Sequence, residues 1–197
     1  LADIEVFVYE DDTRAELAGF GQTGENGCLT LQLPQKDSYT IALESVPKGY
    51  TYEESYSFSG NQVAIVLESH LLEGESLAGA QLGVGDVMYD FSVTNADGNT
   101  VQLSQLLAEK DMVMLNFWFS TCGPCANEFP YMQQAYEAYA DSVGIIALNP
   151  LEDDRTVATY QASMGLTFPM AACPATWSQT FGITGYPTSV VVDQYGV

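Results

Sequence analysis

Basic side chains are nearly missing from this chain. Its 197 residues carry five Lys and Arg together against 26 Asp and Glu, for a net charge of −21. A surface this acidic offers no patch for nucleic acid or anionic lipid, both of which require clustered Lys and Arg. The acid is spread over both halves, which reads as a solvated face that aids solubility and suits an extracytoplasmic protein. Histidine is scarcer still, with His70 alone. It reads as a surface or linker residue, with no catalytic partner near it in sequence. Long apolar runs are missing too. None reaches the ~20 residues that a membrane-spanning helix needs, and no signal-peptide pattern is present. The chain starts at Leu1 rather than Met, which leads us to expect that a leader or tag has been removed.

Cysteine is sparse but patterned. Of the four, Cys122 and Cys125 stand in Cys-Gly-Pro-Cys, directly after the apolar run Val113–Trp118 and the short loop 119–121. The run is short, with β-branched and aromatic members, so it reads as a buried strand over 112–118. A helix is expected from the cysteines to about Tyr139. Cys125, Phe129, Met132, Tyr136 and Tyr139 recur at spacings of four and three, one apolar stripe, and Pro124 fits a first turn, where a missing N–H costs nothing. This spacing puts one exposed sulfur, Cys122, at the open end of the helix and one inner sulfur, Cys125, within bonding reach. Unpaired N–H groups and the positive end of the helix dipole favour a thiolate at Cys122. A free thiol titrates near ~8.5, and such settings lower it to roughly 3.5–7.5. Cys122 can then attack a disulfide and Cys125 resolve the mixed disulfide. A zinc site would need two more ligands, and only His70, Cys28 and Cys173 remain, without metal-binding spacing. A purely structural disulfide would gain little by closing so small a loop. A redox-active pair with no metal and no cofactor is the reading we favour.

Residues 1–68 read as all-β. Ile4, Val6 and Val8 alternate with their neighbours, as do Leu29, Leu31 and Leu33, and 39–43 and 62–67 are further short runs. Turn clusters at 23–27, 47–49 and 59–61 separate them, which argues for a sandwich. Thr23-Gly24-Glu25-Asn26-Gly27, Leu31-Gln32-Leu33-Pro34, Tyr39-Thr40-Ile41 and Val46-Pro47-Lys48-Gly49-Tyr50 together resemble the prealbumin-like Cna-B modules of Gram-positive surface proteins. The resemblance implies a spacer or interaction module. No Lys/Asn/Glu set for that family's isopeptide bond stands out, since lysine occurs in this half only at 36 and 48. Residues 69–83, with little periodicity, read as a linker.

A second domain is expected over 84–197. A hairpin turns at Asn95-Ala96-Asp97-Gly98, and Ser104 can cap a short helix. After the Cys-x-x-Cys helix, strands at 143–148 and 189–193 bracket helices near 154–164 and 177–181. Strands alternating with helices imply a three-layer α/β/α domain with a partly parallel sheet.

This half resembles the thioredoxin superfamily, in its AhpC/TSA-Redoxin and extracytoplasmic TlpA/ResA-like branch. Leu115-Asn116-Phe117-Trp118, Cys122-Gly123-Pro124-Cys125, Glu128-Phe129-Pro130-Tyr131-Met132 and Tyr186-Pro187-Thr188 carry the likeness. The resemblance implies a thioredoxin fold and a thiol-disulfide oxidoreductase in which Cys122 attacks, Cys125 resolves, and the two form a redox disulfide. It places a cis proline at Pro187, with Tyr186 and Trp118 on the substrate-binding side. Glu128, one turn after Cys125, is expected as a half-buried carboxylate of raised pKa that exchanges a proton with Cys125. Ordinary thioredoxins have an aspartate where this chain has Asn116, which favours the TlpA/ResA branch. The implied partners are disulfide-containing extracytoplasmic proteins, with apocytochrome c or another exported thiol protein as substrate, and a membrane electron donor of the CcdA/DsbD type. The implied setting is a cell-surface lipoprotein or secreted protein of a Gram-positive bacterium. Thioredoxin folds continue past Asp193-Gln194-Tyr195-Gly196 with another strand and a helix, so the domain is expected to lack its last strand and helix at Val197. Cys28 and Cys173 read as idle thiols, with a third redox partner at Cys173 or a Cys28–Cys173 bridge as alternatives. Two other functions stand beside the lead: a surface scaffold that uses the fold for docking, and a thiol peroxidase. Against the peroxidase, Phe119 stands where peroxiredoxins have a threonine three residues before the attacking cysteine.

Overall fold

The computed structural model describes residues 1–53, 56–58, 61–72, 77 and 79–197. The expected turn at Ser59-Gly60 and the middle of the expected linker, 73–76 and 78, lie outside the described residues. The chain divides into two compact units, Leu1–His70 and Leu71–Val197.

The first unit contains β1 (Glu5–Tyr9), β2 (Leu17–Gln22), β3 (Tyr39–Glu44), β4 (Tyr50–Thr51), β5 (Tyr56–Phe58) and β6 (Glu68–Ser69). One antiparallel sheet runs in the order β2-β1-β3-β5, and β4 pairs with β6. The period-two pattern sets which face is buried. Val8 lies opposite Ile41 and Val6 opposite Leu43, and their side chains join Ile4 and Tyr39 in the core. The runs 29–33 and 62–67 are not strands over those spans, contrary to expectation. Their alternation is real nonetheless, for Leu31, Leu33, Ile65 and Leu67 pack on the same core. Leu33 and Leu29 lie so close over Gly19 and Gly21 that a Cβ there would approach them to 2.7 and 2.9 Å. Alternation reports which side of an extended segment is covered, and says nothing of whether its backbone finds a ladder partner.

The second unit holds β7 (Ser92–Thr94), β8 (Thr100–Gln102), α1 (Leu103–Leu107), β9 (Met112–Phe117), α2 (Gly123–Ala138), β10 (Val143–Asn149), α3 (Asp154–Met164), β11 (Met170–Ala172), α4 (Trp177–Thr180) and β12 (Thr188–Asp193). Its sheet runs β11-β10-β9-β12, with β9, β10 and β11 parallel and β12 antiparallel to β9. Successive residues of β9 point to opposite faces. Val113, Leu115 and Phe117 pack with Leu103, Leu107, Trp177 and Phe181 on one face. On the other face, Met114 and Trp118 pack with Cys125, Phe129 and Met132 of α2 and Val157 of α3. This places α2 flat against the central strand with its first turn at the strand's C-terminal end.

Two expectations need correction here. The described residues of 69–83 do not read as a free linker: Leu71, Leu72, Leu77, Ala80 and Leu82 pack into the core of the second unit. Its backbone is tied in as well, through Leu72 N–H to Met88 O at 2.9 Å and Leu82 N–H to Thr180 O at 2.8 Å. The unit therefore begins at Leu71 rather than Val84. A strap with irregularly spaced leucines has no period to betray its burial. Nor does Ser104 cap α1. Instead Asp90 caps it from outside, accepting from Ser104 N–H at 2.9 Å and Ser104 Oγ at 2.8 Å. The edge strand β11 was not foreseen, being three residues long.

Candidate active site

Cys122 and Cys125 are joined in a disulfide, their Cα atoms 5.3 Å apart. Cys122 is the N-cap of α2, in extended backbone, and its sulfur accepts the Cys125 N–H at 3.2 Å. One of the helix's free donors is thus aimed at this sulfur, the arrangement that stabilises negative charge on it once the disulfide opens. Pro124 sits in the first turn, and Pro130 removes one bond from the helix ladder further on. Cys125 is fully buried. Cys122 was expected to be exposed, yet it is only 4 % exposed. The reason is local packing. Phe119 and Tyr186 meet edge to face at 5.4 Å and lean on the cluster that holds both sulfurs. The residues around it, Thr121, Gly123 and Pro124, are exposed.

The other candidate residues gather at the same end of the sheet. The Tyr186–Pro187 peptide bond is cis. It directly precedes β12, whose Thr188 pairs with Phe117 at the end of β9. Tyr186 is held by its hydroxyl against Ser178 Oγ at 3.0 Å. Trp118 is fully buried, edge to face with Phe129 at 5.3 Å and tilted on Tyr160 at 4.8 Å. It is therefore a packing residue beneath the site, not a surface that substrate touches. Glu128 is half-buried, and its Oε1 accepts the Asn116 amide N–H at 2.6 Å. Asn116 is fully buried in the middle of the sheet and also donates to Ser189 Oγ at 3.0 Å.

A family model described as the AhpC/TSA family matches residues 84–197. The chain belongs to this family. Among curated relatives, the thiol-disulfide oxidoreductase ResA of Bacillus thuringiensis is 35% identical over 118 residues, covering 59% of this chain and 67% of that protein. The ResA of Halalkalibacterium halodurans is 30% identical over 158 residues, covering 79% of this chain and 78% of the relative. Among solved structures, one from Chlorobium tepidum assigned as a thiol:disulfide interchange protein DsbE is 31% identical, with a TM-score of 0.52 over 59% of this chain and 82% of that one. The thioredoxin domain of a thiol-disulfide oxidoreductase from Bacteroides vulgatus shares the fold at 22% identity and a TM-score of 0.52, over 59% and 85% of the two chains. The second unit is thus a thioredoxin-fold thiol-disulfide oxidoreductase, an enzyme that acts on disulfide-bonded proteins. No helix among the described residues is long and apolar enough to cross a membrane.

One residue of this family member's site escaped the sequence reading. Glu152, just after β10, accepts from Ser120 N–H at 2.7 Å, from Ser120 Oγ at 2.5 Å and from Asn149 Nδ2 at 2.7 Å. Asn149 is fully buried and accepts in turn from the Leu151 and Glu152 N–H groups at 3.0 Å each. The carboxylate pins the loop that leads into Cys122 to the end of the neighbouring strand. Burial pushes its pKa up, but the donors from Ser120 and Asn149 outweigh this and hold it below its ordinary value of 4.5. The only signal in sequence was the run Glu152-Asp153-Asp154 ahead of α3, which reads as helix-capping groups and told nothing of Ser120.

Asp90 behaves alike. Burial opposes its charge, while the Gln102 and Ser104 side chains and the Ser104 N–H keep its carboxyl below 3.8. Carboxyls depressed in the folded state stabilise it above their unfolded pKa, and that gain is lost as pH falls through the folded pKa. The thermal midpoint of this unit should therefore hold steady down to about pH 4.5 and fall steeply below it. Asp90→Asn with Glu152→Gln should flatten that acid limb while lowering the neutral-pH midpoint. Thermal unfolding followed at a series of pH values checks this, and an unchanged acid limb in the double variant contradicts it.

The remaining cysteines are free thiols. No bridge joins Cys28 to Cys173. Burial pushes the Cys173 thiol up to about 12, so it stays protonated and a poor nucleophile, which argues against a third redox partner. No cluster of metal-binding side chains occurs among the described residues.

Proposed function

We propose that this chain reduces disulfides of extracytoplasmic proteins by dithiol–disulfide exchange. The observation that carries the reading is the disulfide at the mouth of α2, whose outer sulfur receives the Cys125 N–H. In the reduced enzyme the Cys122 thiolate attacks a substrate disulfide. A protein–substrate S–S bond forms, the substrate S–S bond breaks, and the departing sulfur takes a proton from water. Cys125 gives up its proton to Glu128 and attacks Cys122. The mixed disulfide breaks and the second substrate sulfur leaves. The enzyme has lost two electrons and the substrate has gained them. A membrane electron donor of the CcdA/DsbD type recharges it. The Gly-Pro pair between the cysteines matches reducing thioredoxins, which supports reduction over oxidation. Similarity to ResA supports an extracytoplasmic setting, as a lipoprotein or secreted protein of a Gram-positive bacterium with apocytochrome c or a comparable exported thiol protein as substrate. The first unit serves as a prealbumin-like Cna-B spacer that carries the enzyme from the cell surface. Tyr186 and cis Pro187 form the rim on which the substrate segment lies beside the sulfurs.

Trapping tests the reading. Cys125→Ser removes the resolving thiol, so mixed disulfides on Cys122 should accumulate to near stoichiometry and identify the substrates by mass spectrometry. A reduction potential well above that of the glutathione pool would overturn the direction assigned here.

A further inference from the structure

We propose that the Asn116 side-chain amide is the positioning residue for the Cys125 proton: its Oδ1 accepts the Cys125 S–H in the reduced enzyme while its Nδ2 holds Glu128 in place to receive that proton. This rests on the dithiol exchange proposed above.

The starting observation is an orphan. Asn116 is fully buried between β9 and α2, and its two N–H groups are both used, one by Glu128 Oε1 at 2.6 Å and one by Ser189 Oγ at 3.0 Å. Its Oδ1 is buried with no partner. With its nitrogen turned toward Glu128 Oε1, the amide turns its oxygen away from that carboxyl. Buried carbonyls almost always find a donor, and one that does not calls for an explanation. The chemistry of the site supplies the missing donor. In the disulfide form Cys125 has no proton to give. When the disulfide opens, Cys125 becomes a fully buried thiol whose S–H needs an acceptor. Cys125 and Glu128 lie three apart on α2, adjacent on one face of the helix. An amide that already grips Glu128 therefore lies beneath the same turn. Its empty acceptor suits the one donor that appears only on reduction.

The step balances without any added reactant. Cys125 S–H breaks, its proton passes to the Glu128 carboxylate, and the sulfur's electron pair forms the bond to Cys122 as the mixed disulfide breaks. The amide takes no part in the electron count. It fixes the distance between donor and acceptor, and being neutral it adds no second carboxylate beside Glu128. The surroundings leave few competitors. β9 carries no titratable side chain, and the one on β12, Asp193, lies opposite Met112 at the far end and bonds its own turn at Tyr195 and Val197. On α2 and its N-cap the titratable groups are Cys122, Cys125, Glu128, Tyr131, Tyr136 and Glu137, and Tyr160 of α3 and Tyr186 pack on the same cluster.

The test reads the thiol directly. In the full chain, Cys122→Ser leaves Cys125 as a free thiol, and subtracting the infrared spectrum of Cys122→Ser/Cys125→Ser isolates its S–H stretch. With Asn116 present the band should sit at a hydrogen-bonded frequency. In Asn116→Leu it should move to that of a free thiol, and in the isosteric Asn116→Asp, which keeps an acceptor, it should stay bonded. With Cys122 intact, Asn116→Leu should slow resolution of the mixed disulfide about fivefold to tenfold, the scale of the one lost hydrogen bond that holds Glu128 in place. A band that does not move in Asn116→Leu overturns the proposal, and so does a free-thiol band in the unsubstituted background, which needs no folded Asn116 variant. The proton role of Glu128 is judged separately. If Glu128→Gln leaves the pH profile of resolution unchanged while the Asn116→Leu band moves, the Glu128 assignment fails and the Asn116 contact stands.

Discussion

Cys122→Ser should abolish disulfide reduction. The expected loss in turnover is on the order of 10⁴–10⁶-fold, the scale seen when a covalent nucleophile is removed. The reason is chemical rather than structural. Serine is close in size and can still cap α2, so the N–H donated by Cys125 at 3.2 Å keeps an acceptor. The fold and its melting behaviour should change little beyond the loss of one short-range disulfide, which closes too small a loop to matter much. A hydroxyl, however, is almost wholly protonated at neutral pH and attacks sulfur poorly. Insulin-disulfide reduction with a supplied dithiol is the direct measurement. Cys125→Ser makes the informative contrast. It retains the attacking thiolate, so a first attack on substrate should proceed at a near-normal rate and then stall as a mixed disulfide. Retained turnover in Cys122→Ser would remove the attacking role from that sulfur. A chain used only as a docking scaffold would show no activity even before substitution.

Legibility differed by the kind of signal. The catalytic half could be read because its signals are local. A short apolar run, a Cys-x-x-Cys and a stripe at 125, 129 and 132 each constrain neighbouring residues, and β9 and α2 form where those signals fall. The long parallel strand β10 and helix α3 were equally plain, the latter because Asp153 caps it through Thr156 N–H at 2.8 Å. What sequence could not give were contacts between distant segments. Glu152 finds Ser120 across 32 positions. Asp90, rather than Ser104 itself, caps α1. The leucines of 71–82 look like a linker because their burial is decided by Met88, Thr180 and the rest of the core, not by any period of their own. The exposure of Cys122 failed for a related reason. Its place at a helix mouth was right, but the cover supplied by Phe119 and Tyr186 comes from two loops that meet only in the fold.

Phe129→Ala should cost the second unit about 3–5 kcal/mol, the range for truncating a buried aromatic. Phe129 is fully buried and sits at the centre of a ring cluster. Trp118 lies 5.3 Å away, Tyr160 5.9 Å and Phe168 6.0 Å, so α2, α3 and the central strand all lean on it. Truncation removes the transfer energy of the ring, leaves a cavity, and breaks edge-to-face contacts worth about 0.5–1.5 kcal/mol each beyond burial. A domain of this size has only ~5–15 kcal/mol in hand, so the melting temperature should drop by roughly 10–20 °C. The measurement is clean, because both tryptophans, Trp118 and Trp177, belong to this unit and its unfolding can be followed by their fluorescence. Tyr131→Ala supplies the control on the same helix. Tyr131 is 72% exposed and should change stability by no more than about 0.5 kcal/mol. Activity ties the two results together. Phe129 holds the α2 face that carries Cys125, so at a temperature where the variant remains folded its resolving step should slow, while the first attack by Cys122 at the helix mouth should be spared. A cost below about 1 kcal/mol would mean that the site has collapsed onto the gap, and that the ring cluster does not set the position of the helix that presents the two sulfurs.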